Sequence, residues 1–193
     1  MSKRMLSKFI YLAAAAVFLV LTITAQRQNA KPQDVSVATT TAQIIQVVQS
    51  TSTNALVIKV VDGDTIEVRL DAEPKVEYKI RLLGVNTPET VDPRKAVECF
   101  GKQASDFSKK TLSNKRIKLV SDPQADERDK YDRLLRNVYL EDGTDFNAML
   151  VEQGYAYAYL SFPLNPERKT QLRKLEAEAK AAGRGLWGAG VCE

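Results

Sequence analysis

Four short clusters hold most of the side chains able to do chemistry. Asp62-Gly63-Asp64-Thr65 and Asn86-Thr87-Pro88-Glu89 supply oxygen donors. Arg81, inside Tyr78-Lys79-Ile80-Arg81-Leu82-Leu83, and Arg133, closing Asp129-Lys130-Tyr131-Asp132-Arg133, supply guanidinium forks. Carboxylate and carbonyl oxygens suit a hard cation such as Ca²⁺, a carboxylate can orient or deprotonate water, and an Arg fork matches phosphate oxygens with two parallel donors. Together the inventory is that of metal-assisted phosphodiester cleavage. Each cluster also has a plain reading of its own. Asp-Gly is a common hairpin connector, and Pro88 favours an extended residue before it. Alternation puts Arg81 on the face of Lys79 and Leu83 as a surface strand residue, and residues 129–133 read as a solvated charged loop.

Composition removes most competing chemistries. The 193-residue chain has no His and two Cys. It therefore has no Ser-His-Asp or Cys-His centre, no HExxH zinc site and no imidazole acid/base pair, and too few thiols for an all-thiolate zinc site or an iron-sulfur cluster. The formal net charge of +4 suggests a nucleic-acid partner, but five of the 28 basic and one of the 24 acidic residues precede Ala55, leaving 23 of each beyond it. Phosphate binding must then come from local placement of Arg and Lys, since a bulk basic field is absent.

The excess of base sits in front of an apolar run. Lys3, Arg4 and Lys8 precede a fifteen-residue stretch, 9–23, interrupted only by Thr22, the order of a secretory leader. The run is short for a spanning helix, which needs roughly 20 apolar residues. Residues 1–25 are expected to be either a signal peptide cut after Ala25 or a retained N-terminal anchor. The protein would then be secreted, or tethered through residues 9–23 at the outer face of the cytoplasmic membrane. Residues 26–54, rich in Gln, Thr, Ser, Ala and Asn, read as a flexible polar linker. Residues 55–193 read as one folded domain, expected to be monomeric.

Within that domain, apolar runs on either side of Asp62-Gly63-Asp64 predict a hairpin. A third strand over 76–85 after the turn 71–74 completes a meander. Helical spacing predicts a helix over 101–113, alternation predicts strands over 116–120 and 134–140, and Asp145 and Gly154 bracket a second helix. Asn165 as cap, Pro166 in the first turn and Gly183 as stop frame a third. Five strands with a helix between the third and fourth make this a mainly β, α+β chain. The expected architecture is a five-stranded OB-fold barrel with three packed helices, preceded by the hydrophobic leader helix.

Three blocks carry a family resemblance: Val61-Asp62-Gly63-Asp64-Thr65, then Arg81-Leu82-Leu83-Gly84-Val85-Asn86-Thr87-Pro88-Glu89-Thr90, then Asp129-Lys130-Tyr131-Asp132-Arg133-Leu134. In order and spacing the chain resembles the thermonuclease (micrococcal or staphylococcal nuclease) family over about residues 56–187. The resemblance implies an OB-fold and a Ca²⁺-dependent nuclease that cuts DNA and RNA to leave 3′-phosphate ends. It implies Asp64, Asn86 and the Thr87 carbonyl as metal ligands, Asp62 as a carboxylate behind them, and Glu89 as base or positioner of the attacking water. Arg81 and Arg133 would clamp the scissile phosphate, and Lys130, Tyr131 and Tyr159 would touch the substrate.

Two departures stand out. Asn86 occupies a position where the family's best-known member has Asp, which predicts weaker Ca²⁺ binding. Asp132 stands where Gly is common, placing a carboxylate that either competes for Arg133 or turns outward. Tyr155, Tyr157, Tyr159 and Phe162 are the candidates for stacking on a base, in a register the sequence leaves open. Cys99 and Cys192, in an exported chain, are first read as a disulfide pair. The competing function is a non-catalytic nucleic-acid- or protein-binding OB-fold module. The joint presence of Asp64, Glu89, Arg81 and Arg133 weighs against it, and Asn86 keeps it open.

Overall fold

Alternation of apolar residues shapes the first three strands. The computed structural model describes residues 51–94 and 96–192. In it β1 (Ser52–Val60), β2 (Thr65–Leu70) and β3 (Glu73–Leu82) form an antiparallel meander. Ala55 and Val57 of β1, Ile66 and Val68 of β2, and Ile80 and Leu82 of β3 are buried, as a two-residue side-chain period requires. A register shift between Val57 and Lys59 moves the next inward position to Val60 and leaves Lys59 outside, the usual effect of a bulge.

The chain then makes a two-residue strand β4 (Val85–Asn86) and helix α1 (Gly101–Leu112), followed by β5 (Arg116–Val120) and β6 (Leu134–Leu140). Strand β5 pairs with β1 and with β6, and β6 returns parallel to β3, so the pairings close in the order β1-β2-β3-β6-β5. With α2 (Phe146–Glu152) and α3 (Pro166–Ala181), the chain is a mixed α+β fold of a five-stranded sheet and three helices, consistent with the OB-like arrangement expected. Phe146, Leu150 and Val151 of α2 join the barrel residues in the main core, as does Leu172 of α3. Asp145 caps α2 by accepting the Ala148 N–H at 2.9 Å, and Asn165 caps α3 through Glu167 and Arg168, as the sequence predicts.

Several boundaries differ from expectation. Strand β1 begins at Ser52, inside the stretch read as linker, because Ser52, Thr53 and Asn54 pair with Val120, Leu119 and Lys118. Strand β3 starts at Glu73 rather than Val76 and ends at Leu82. Val85 and Asn86 leave the barrel to pair with Ala158 and Tyr157 of β7 (Tyr157–Ala158). Arg81, whose plain reading is a surface strand residue, is 6% exposed, because the Leu82 and Val85 carbonyls, Asn86 and Asp64 enclose its guanidinium.

Cys99 and Cys192 form a disulfide across 93 residues, with Cα atoms 5.7 Å apart. The leader and residues 26–50 of the linker lie outside the described residues. Among the described residues no helix is long and apolar enough to cross a membrane.

Candidate active site

The turn between β1 and β2 is fixed before any substrate arrives. Val61 donates to the Thr65 carbonyl at 2.9 Å, Asp62 Oδ1 accepts the Asp64 N–H at 3.2 Å, and the Asp64 carbonyl accepts Leu82 N–H at 2.9 Å. Ser108 of α1 donates to the Gly63 carbonyl at 2.7 Å, anchoring the turn from the helix side. A Cβ on Gly63 would lie 2.6–2.8 Å from the Thr87 side chain, so glycine lets the two acidic loops touch. Across that contact Asp64 Oδ2 accepts the Thr87 N–H at 2.9 Å.

Arg81 ties the same groups together from beneath. Its Nη1 donates to the Leu82 and Val85 carbonyls, both at 2.8 Å, and its Nη2 reaches Asn86 Oδ1 at 3.0 Å and Asp64 Oδ2 at 3.0 Å. One guanidinium nitrogen therefore bridges two expected metal ligands. Asp62 lies beside them, and its pKa is raised from 3.8 to about 6. Burial is the main cause, followed by the negative charge of Asp64, with Glu89 adding to it and Arg81 opposing it.

Arg133 approaches from the loop before β6. Asp129 holds it through Nε at 2.7 Å and Nη2 at 2.6 Å, leaving Nη1 3.3 Å from Thr65 Oγ1. Burial pushes the Asp129 pKa up, but the hydrogen bonds from the Arg133 side chain and from the Arg133 and Tyr131 N–H groups outweigh it and hold it below its ordinary value. Asp132 turns outward. It adopts φ 65° and pairs with Arg128 at 3.2 Å, its side chain 85% exposed, so the carboxylate engaged with Arg133 is Asp129. Glu89 Oε1 accepts three successive N–H groups, from Thr90 (2.8 Å), Val91 (2.7 Å) and Asp92 (3.1 Å).

Asp62, Asp64, Arg81, Asn86, Thr87, Glu89, Tyr131 and Arg133 line one cleft of about 520 Å³. Two other expected substrate residues do not line it. Lys130 lies over the Tyr131 ring at 5.0 Å, and Tyr159 makes an edge contact with Phe162, ring centres 5.0 Å apart. Tyr155 is committed to packing on Phe107 at 4.1 Å. Arg94 also lines the cleft, held by Asp92 at 2.8 Å. It was missed because a charged pair in a surface loop carries no periodic or motif signal.

No three His, Cys, Asp or Glu among the described residues stand close enough to hold a metal by themselves. The groups expected to hold an ion are nevertheless all oxygen donors, Asp64, the Asn86 amide and the Thr87 carbonyl with Asp62 behind them, and Glu89 and Asp92 line the same cleft. A bound cation would offset both the burial of Asp62 and the negative charge of Asp64 beside it. In chemistry the set fits a hard ion, provided Arg81 yields both Asp64 and Asn86.

The family model described as staphylococcal nuclease homologue matches residues 79–189. The thermonuclease of Staphylococcus intermedius is 39% identical over 132 residues, covering 68% of this chain and 74% of that protein. The chain belongs to the staphylococcal nuclease homologue family. The thermonuclease of Staphylococcus hyicus is 38% identical over the same length, covering 68% and 73%. The SPbeta prophage-derived endonuclease of Bacillus subtilis is 34% identical over 129 residues, covering 67% of this chain and 42% of that protein. In this member of the family, β3, β4 and the turn after β1 supply one part of the cleft's wall, and the segment after β4 and the loop before β6 supply the rest.

Proposed function

We propose that the protein is a Ca²⁺-dependent nuclease that hydrolyses phosphodiester bonds of DNA and RNA and leaves 3′-phosphate ends. The observation that carries the reading is the convergence of two arginines with Asp64, Asn86, Thr87 and Glu89 in the lining of one cleft. Asp64, Asn86 and the Thr87 carbonyl would hold the ion, with Asp62 behind them. When bound, Ca²⁺ supplies neutralising charge to the phosphate and its transition state. Glu89 has Oε1 committed to its own loop, which leaves Oε2 to orient the attacking water and take its proton. Arg133 presents Nη1, and Arg81 presents Nη2 once it parts from both Asp64 and Asn86; both stabilise charge that grows on the phosphoryl oxygens. The relatives named as thermonucleases and as an endonuclease support the same reaction class.

A binding module without catalysis is the second reading. It is favoured by Arg81, both of whose Nη atoms are bonded within the protein. Incubation of the full chain with single- and double-stranded DNA and RNA, followed by phosphatase treatment of the products, separates the two. The nuclease reading predicts cleavage of both polymers with phosphatase-sensitive 3′ ends, and binding without cleavage contradicts it.

We further propose that the protein acts as a monomer outside the cytoplasm, secreted or held at the outer face of the cytoplasmic membrane by residues 9–23. The Cys99–Cys192 bond supports an oxidising compartment. Fractionation of expressing cells, with N-terminal sequencing of the protein recovered, tests this, and protein found only in the cytosol contradicts it.

A further inference from the structure

Glu89 is held by more than its own carboxylate. Its N–H donates to Glu98 Oε2 at 2.9 Å, and Glu98 returns its own N–H to the Glu89 carbonyl at 2.9 Å. These reciprocal bonds close the neck of the segment that joins β4 to α1. Gly101, the first residue of α1, packs into the same neck. A Cβ there would lie 3.0 Å from the Glu89 carbonyl oxygen, 3.1 Å from that of Pro88 and 2.8 Å from Thr90 Cγ2, so only glycine allows the helix start to approach this closely.

The Glu98 side of the neck is itself pinned. Cys99 is crosslinked to Cys192. Phe100 takes a left-handed φ of 65° and sets its ring 5.6 Å from that of Tyr155. The Gly101 N–H donates to the Glu98 carbonyl at 3.0 Å. Through the two residues that follow it, Glu98 is thus anchored to the C-terminal tail and to the Phe100–Tyr155 contact, and it passes that rigidity to the backbone of Glu89.

Resting on the nuclease reading, we propose that Glu98, braced by the Cys99–Cys192 crosslink, is a positioning residue that sets the backbone of Glu89 and so aims its Oε2 at the attacking water. Glu98 lines no part of the cleft and touches no reacting atom; it acts through Glu89. The carboxylate of Glu89 already binds the N–H groups of residues 90–92, so its remaining freedom is rotation of the whole neck. The reciprocal pair removes that freedom. A misplacement of about an ångström at a reacting group can lower a rate by on the order of a hundredfold. A neck that loosens only part of the time should lower it less.

The test compares Glu98→Ala, Glu98→Gln and the double variant Cys99→Ser/Cys192→Ser with the parent. Each is measured for kcat and KM on a labelled single-stranded oligonucleotide and for amide exchange at residues 89 and 98. Glu98→Ala should lower kcat about five- to tenfold at unchanged KM and speed exchange of the Glu89 N–H by about tenfold, leaving α1 protected. Glu98→Gln keeps an acceptor oxygen and should restore most of both. The crosslink variant should move kcat and exchange in the same direction by about two- to threefold. In a Glu89→Ala background, Glu98→Ala should have no further effect on rate, because the two act as a unit.

The proposal is overturned if Glu98→Ala leaves kcat within about twofold of the parent. It is also overturned if Gln fails to restore what Ala removes, or if the two losses simply multiply. A parent that cleaves nothing contradicts the nuclease reading instead, and the exchange rates at residues 89 and 98 then decide the clasp by themselves.

Discussion

Arg81 and Arg133 line one cleft and are held in opposite ways. Arg81 grows from β3 where β6 runs parallel beside it, and its donors are shared among two backbone carbonyls, Asn86 and Asp64. Arg133 stands on a loop, its side chain 24% exposed, and is oriented by the single carboxylate of Asp129. The first wall is therefore part of the barrel's hydrogen-bond plan, where a change in chemistry is also a change in fold. The second is an attachment, which can be altered while the barrel stays intact.

The largest contrast should come from Lys substitutions, which keep charge and lose the fork. Arg81→Lys and Arg133→Lys should each lower the cleavage rate by about a hundredfold, the size of losing one transition-state contact. Only Arg81→Lys should also lower stability, by about 1–3 kcal/mol, since it strands buried carbonyls and Asp64. Rates and denaturant midpoints of both variants check this; equal stability losses would erase the distinction between the walls.

Within the barrel-held wall, Asn86→Asp restores a negative charge beside Asp64. It should lower the Ca²⁺ concentration for half-maximal rate by about tenfold, one pair of charges at short range in a partly buried site. An unchanged or higher requirement in a Ca²⁺ titration would remove Asn86 from the ligand set.

Asp62 tests the same wall without metal. Its folded-state pKa of about 6 lies above the ordinary 3.8. Between those values the folded chain binds more protons than the unfolded one, so stability falls as pH rises through that window and the full penalty stands above it. Asp62→Asn should therefore be more stable than the parent at pH 7 by about 1–3 kcal/mol in chelator, and the gain should shrink as pH falls and vanish by about pH 3, below the unfolded value. Melting curves across that range measure it, and a gain that persists at low pH would assign the effect to something other than Asp62 ionisation. The smallest effect belongs to the loop-held wall. Asp132 sits at φ 65° and faces solvent, so Asp132→Gly should raise stability by less than about 1 kcal/mol and leave the rate unchanged. A large rate change would mean that Asp132 does reach Arg133.

Much of this division was legible in the sequence. Alternation over 56–70, the caps Asp145 and Asn165, and the three motif blocks point to the barrel, the helices and the cleft residues, because each is a local signal that the final packing reinforces. What escaped depends on partners distant in the chain. Val85–Asn86 and Tyr157–Ala158 are too short for a two-residue period to show. The burial of Arg81 depends on its contact with Asp64, 17 residues earlier, and on the chain reversal that brings Val85 and Asn86 onto its guanidinium. Asp129, read as one charge in a solvated loop, proves to be the residue that aims Arg133. The outward turn of Asp132 could be stated only as one of two alternatives, because the sign of φ at a single residue leaves no trace in composition.

The most direct measurement is the rate of phosphodiester cleavage by the full chain on a labelled single-stranded oligonucleotide, with Ca²⁺ and again with excess chelator. Oxygen ligands around Asp64, with two arginines waiting for phosphate, predict rapid cleavage with Ca²⁺ and loss of activity in chelator. Undiminished cleavage in chelator would contradict the metal-assisted reading of this cleft.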